Sequence, residues 1–206
     1  AWFKEGVKAG YLSGDLFFLA YCAGNCHISD PVEDMATRIA GQMKYIKVIK
    51  ETGYQDAYQA ALINLQFTRC LSGLTANAVS MDEDDFSEAK CMQTMQELKF
   101  KSGIGFFNVN KAVLHFNEYR FEEAYAFIVE GSKYLGSMTS LIEATNLHMI
   151  AGLIASSYMR ENNTSPSKEM RKRLSLSIKK VAKWSNHNPT NFSHKLNLLK
   201  AESASV

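Results

Sequence analysis

Proline is scarce in this chain, with three among 206 residues, and Pro31, Pro166 and Pro189 each stand beside a predicted helix start. Strict apolar–polar alternation is short and sits inside stretches with helical spacing, as in INLQFT at 63–68 and RLSLSIK at 173–179, so no half-buried strand is predicted. No apolar run nears the roughly 18 residues that cross a membrane, and no charged leader with an apolar core opens the chain. A net charge of only +2 argues against a protein built mainly to hold nucleic acid. The four cysteines, Cys22, Cys26, Cys70 and Cys91, are scattered and accompanied by no secretory signal. Reduced core thiols in a cytoplasmic protein are the expectation, not a disulfide frame.

Catalytic signatures are also missing. The sequence contains no GxxxxGK[ST] loop, no GxGxxG after a strand, no HExxH and no GxSxG. Nucleotide chemistry needs the first of these for its backbone amides and lysine, so no catalytic residue, cofactor or metal site is predicted here. Two clusters come nearest to metal chemistry. CAGNCH places Cys22 and Cys26 four apart on one helix face, but the spacer is wrong for a zinc knuckle and no second pair follows. Counted from Asp82, the run Asp82-Glu83-Asp84-Asp85 puts Ser87 and Gln93 where a calcium loop needs glycine and glutamate. A solvated loop leading into a helix is the expectation there.

What is present is helical periodicity almost throughout. A hydrophobic share of 46% is ordinary for a folded chain, and one domain of this length buries roughly 70% of its unfolded surface. The plan centres on residues 106–135: FFNVNKAVLHF, the polar turn NEYR, then FEEAYAFIVEGSKYL. These are two amphipathic arms of a helical hairpin, with Ala112, Ala124 and Gly131 where the arms must approach closely. Upstream, residues 1–13 end a helix broken at Gly14-Asp15, and 16–29 form its second arm with Leu16, Leu19, Ala20, Ala23 and His27 near one face. Asp30 as cap, Pro31 at the first helical position and Glu33 as a capping-box acid start the next helix. It carries Met35, Ile39, Met43 and Ile46 inward and stops at Gly53. A helix with Tyr54, Tyr58, Ala61 and Leu65 on one side closes at Gly73. An irregular acidic stretch follows, then a short helix over 88–98.

Downstream, Ser140 and Glu143 have capping-box spacing before a stripe of Leu147, Ile150, Ile154 and Tyr158. Ser165 and Pro166 start a basic helix that turns Met170, Leu174, Ile178 and Val181 inward, WSNHNPTN breaks it, and a last segment runs from Phe192. Hairpins recurring at roughly 35–45 residues predict an all-α protein of antiparallel hairpins, stacked as a tetratricopeptide-like right-handed array in one domain. A bundle around one cavity is the structural alternative. The chain starts inside an amphipathic pattern, without an initiator methionine, and ends within a helix, so an excerpt of a longer polypeptide is expected.

Several motifs are more specific than a generic repeat. In VAKWSNHNPTNFSHKLNLLKAE, Trp184, Asn188, Pro189, Asn191, Phe192, Ala201 and Glu202 form a pattern of Trp, polar turn, Asn-Pro-x-Asn-Phe and a helix ending in Ala-Glu. It resembles the end of the helical-repeat region of very large bacterial and fungal signalling proteins. Those proteins join a serine/threonine-kinase-like domain, an AAA/STAND P-loop ATPase, this region, a GAF domain and often a histidine kinase. Gly73, Leu74, Thr75, Asp82, Asp84 and Phe86 match a second segment of that family, and Lys111 with FEEA after the turn is similar to a third. The central hairpin departs from the standard tetratricopeptide pattern by placing Asn108 and Lys111 at usually apolar positions. The resemblance implies a non-catalytic interaction and signal-coupling module whose partners are flanking domains or another protein, with ATPase and kinase chemistry elsewhere. The alternative is a receptor holding a peptide or small metabolite in a concave surface.

Two surfaces are candidates for partners. Asn108, Lys111 and His115 share one side of their helix, opposite Val109, Val113 and Phe116, and line either a partner groove or an internal polar contact. The helix over 168–183 carries Lys168, Arg171, Lys172, Arg173, Lys179, Lys180 and Lys183 against the single acid Glu169. It is either a solvated outer face or a docking stripe for an anionic surface, and RKRLS resembles a basophilic kinase site at Ser175. Oligomeric state is not predicted.

Overall fold

Side-chain caps set several helix starts in this chain: Asp15, Asp34, Ser87 and Asn188 each accept from an amide of the helix they precede. The computed structural model describes residues 2–27, 33–139, 141–161 and 168–206. Among them lie ten α-helices, a 3₁₀ turn at Leu135–Met138, and no strand beyond two isolated bridges. The first hairpin joins α1 (Trp2–Ser13) to α2 (Leu16–Asn25). Gly14 turns the chain at φ +71°, and the Asp15 carboxylate accepts from the Phe18 amide at 3.0 Å. Next come α3 (Met35–Thr52) and α4 (Gln55–Leu71), joined through Gly53 at φ +80°. Then follow α5 (Glu88–Glu97), α6 (Lys101–Asn117), α7 (Phe121–Ser132), α8 (Ile142–Glu161), α9 (Lys168–His187) and α10 (Pro189–Ala204).

The all-α architecture stands, and several local expectations change. Helix α2 stops at Asn25, and His27 sits beyond it at φ +64°, paired with Glu33 at 2.5 Å. Glu33 therefore precedes α3 and is not its capping-box acid. The cap is Asp34, whose carboxylate accepts from the Thr37 amide at 2.8 Å and from its hydroxyl at 2.7 Å. The expectations for Asp30, Pro31, Ser140, Ser165 and Pro166 lie outside the described residues. Leu16 and Met43 are exposed, and α3 turns Gln42 and Ile49 inward instead. WSNHNPTN is less of a break than expected: α9 continues through Trp184 to His187, and Asn188 alone separates it from α10. Its side chain accepts from the Asn191 amide at 3.2 Å, with Pro189 at the first helical position.

The chain divides into two units, Ala1–Ile104 and Gly105–Val206. In the first, α2 packs on α1, α3 and α4 around Leu19, Ala20, Ala23, Ile49 and Ala61. Tyr21 on α2 donates to Asp56 on α4 at 2.7 Å. The loop before α5 is held from inside: the Cys70 thiol points at the carbonyls of Asn77, Ala78 and Ser80, Met81 is fully buried, and Arg69 pairs with Glu83. Asp82 accepts from the Glu88 amide at 2.7 Å, while the Glu88 carboxylate accepts from the Met81 amide at 2.6 Å. The acidic stretch is thus folded against the start of α5, and of the four acids Asp82 to Asp85 only Asp84 and Asp85 are exposed.

In the second unit α8 is the hub, touching α7, α9 and α10. The hairpin of α6 and α7 closes where the sequence has small residues: Ala112 and Ala124 are fully buried. A Cβ placed on Gly131 would stand 3.2 Å from the Asn108 Cβ. The first unit repeats this device, since a Cβ on Gly10 would meet Leu19 Cβ at 2.9 Å and its Cα at 3.0 Å. Backbone cannot step aside, so Gly10→Ala lowers stability by about 1–3 kcal/mol despite alanine's better helix propensity. Gly136→Ala, which meets open space, stays within about 0.5 kcal/mol. Urea unfolding of the two variants checks the contrast.

Candidate functional site

The three polar residues of the central hairpin are interior. Asn108, Lys111 and His115 are 4%, 6% and 9% exposed. Every residue from Gly103 to Ala112 is buried, which favours the internal polar contact over a partner groove for these side chains. The Lys111 ammonium lies 5.7 Å from the centre of the Phe127 ring, and the His115 ring lies 5.0 Å from it. One aromatic side chain of α7 thus serves a buried cation and an imidazole together.

The basic helix keeps its charge outside. Lys168, Arg171, Lys172, Lys179, Lys180 and Lys183 are exposed along α9, while Met170, Leu174 and Val181 face inward. Arg173 is turned to structural use, donating to the Ser132 hydroxyl at 3.0 Å. Glu169 accepts from the Tyr125 hydroxyl at 2.7 Å, so the stripe's single acid is engaged with α7. Burial, assisted by that bond, raises the Tyr125 pKa. Ser175 is exposed within the stripe, although it lies mid-helix.

The motif residues at the C-terminal end have structural roles. Trp184 stands between His148, edge-on at 5.7 Å, and Phe192 at 5.9 Å. His148 is buried, and desolvation, reinforced by Lys180 and Arg173, pushes its pKa down to about 4. Glu202 accepts from Arg160 at 2.9 Å and from the Ser156 hydroxyl at 3.3 Å, tying α10 to α8. The cysteines are also packing elements: Cys26, Cys70 and Cys91 are buried and free, while Cys22 is half-buried and lies against Gly6. Burial pushes the Cys91 thiol up to about 12. Among the described residues no three His, Cys, Asp or Glu side chains gather as a metal site would require.

One feature was not singled out in the sequence. A cleft of about 310 Å³ opens beside the turn between α6 and α7, walled by Phe116, Tyr119 and Phe121 on one side and by Ser157, Arg160 and Glu202 on the other. Tyr119 follows the end of α6 at φ +58°, a left-handed position usually given to glycine, and its side chain is 78% exposed. The amides of Tyr119 and Arg120 close the helix end on the carbonyls of Phe116 and His115. An L-residue there costs about 1 kcal/mol or more. The available signal was a tyrosine in NEYR at the helix-stop position, where Gly or Asn is normal.

No family model, curated protein or solved structure matches the chain.

Two outcomes follow from these burials. His148 takes up its proton far more readily when unfolded, so stability is complete above its ordinary pKa near 6.5 and is lost as pH falls from there towards about 4. Between pH 7.5 and pH 5 the loss is about 2 kcal/mol, read from urea midpoints, and His148→Phe removes this contribution. In thiol labelling of the native chain at pH 8, Cys22 reacts first, and Cys26, Cys70 and Cys91 react only after denaturation.

Proposed function

We propose that the chain is a non-catalytic interaction and signal-coupling module of tetratricopeptide-like build, its helix pairs stacked in a right-handed array. It works in the cytoplasm within a multidomain signalling ATPase or kinase, whose chemistry lies in other parts of the polypeptide. The motif likeness of Trp184, Asn188, Pro189, Asn191 and Phe192 motivates this reading. Within each unit, α2 touches both α3 and α4, and α8 touches both α9 and α10, which is the neighbour pattern stacked pairs produce.

The observation that carries the reading is the apolar surface of the first hairpin. Trp2 is 92% exposed and Phe18 61%, with Phe3, Leu12 and Phe17 also in the open. Large side chains in this number on one hairpin are characteristic of a docking surface. A flanking domain is its partner, and α9 supplies a cationic face that favours an acidic surface on that partner.

Association of the chain with the flanking domains of its polypeptide, measured calorimetrically with ATP, with ADP and without nucleotide, is the test. Binding that depends on the nucleotide, and that Phe18→Ser weakens about tenfold without lowering the melting temperature, is expected. Failure to associate in all three states contradicts the reading.

A further inference from the structure

We propose that the cleft beside the α6–α7 turn is a binding site for an uncharged planar ring carrying a hydrogen-bonding edge. The site goes beyond the coupling role and stands whether or not the chain docks on its neighbours.

Three observations converge on it. The aromatic wall is continuous: the Phe116 and Phe121 rings are 5.6 Å apart, and Tyr119 stands edge-on to Phe121 at 6.1 Å. Such a wall offers faces and edges to a flat ligand. The opposite wall is charged but balanced. Arg160 donates to Glu202 at 2.9 Å and to the Ser205 hydroxyl at 3.1 Å, and its other terminal nitrogen reaches Ser157 at 3.4 Å. An anion would have to compete with Glu202 for Arg160, and a cation with Arg160 for Glu202, which leaves neutral ligands favoured. A hydrogen-bonding group remains for an edge, because the exposed Asn117 lines the cleft. At about 310 Å³ the cleft lies at the small end of ligand sites and suits one or two fused rings.

The third observation is the backbone of Tyr119. Its helix-stop role would be served better by glycine, and its side chain contributes little burial. A strained residue that displays an aromatic ring over a cleft is the pattern of a site maintained at some expense of stability.

The test uses the full chain and two neutral probes followed by NMR: N-acetyl-tryptophanamide, standing for an aromatic side chain of a peptide, and adenine, standing for a free heterocycle. At least one is expected to shift the resonances of Phe116, Tyr119 and Ser157 saturably at millimolar concentration. Tighter binding of the first assigns the site to a peptide, and tighter binding of the second to a free heterocycle. Tyr119→Gly weakens the preferred probe by about fivefold or more while the melting temperature holds or rises, and Tyr119→Phe keeps affinity within about twofold. Absence of saturable shifts with both probes overturns the proposal. So does unchanged affinity in Tyr119→Gly, or a fall in its melting temperature, which would make the ring structural.

Discussion

Close approach of neighbouring helices at small residues is the constraint on which the rest of this structure depends. Interaxial distance is set by the side chains at the crossing, and here Gly10 and Gly131 let facing helices nearly touch, while Ala112 and Ala124 are fully buried. Gly152 on α8 does the same for Leu199 and Ser177, whose atoms would stand 2.6 Å and 3.0 Å from a Cβ there. Helices drawn so close exclude water from whatever they carry. Asn108, Lys111, His115 and His148 are buried as a result, and each must be accommodated by neighbours inside the protein.

That consequence explains where sequence reasoning succeeded and where it stopped. Breaks were readable because they have a chemistry of their own. Gly14, Gly53 and Gly73 take positive φ, and Asn188-Pro189 caps and starts a helix in two residues. The small residues of the central hairpin were readable because only a close crossing gives them a purpose. Burial of the polar residues of α6 was only half readable. Asn108 and Lys111 stand at usually apolar positions, which left an internal contact open, but a helix enclosed on every side has no outward face to supply the phase. Asp34 was passed over as the cap of α3 for a different reason: it follows Glu33 directly, and in a run of two acids the sequence alone does not say which carboxylate meets the Thr37 amide. Tyr119 escaped notice because aromatic residues are routine in helical hairpins, and its backbone angle, not its type, makes it unusual.

The surfaces left over divide by chemistry. The first hairpin is apolar, α9 is cationic, and the cleft at Tyr119 is aromatic and balanced in charge. Apolar area supplies affinity, a charged stripe supplies orientation and encounter rate, and a small cleft supplies selectivity.

Amide hydrogen exchange on the native chain tests the central packing claim most directly, because protection reports how tightly each segment is held. Tight crossings at small residues predict that the slowest amides cluster at 106–114 in α6, at 124–128 in α7 and at 147–155 in α8, with the exposed ends of α1 and α10 exchanging far faster. Exchange in 106–114 as fast as at those ends would mean that the crossings are loose, and the account built on them would fail.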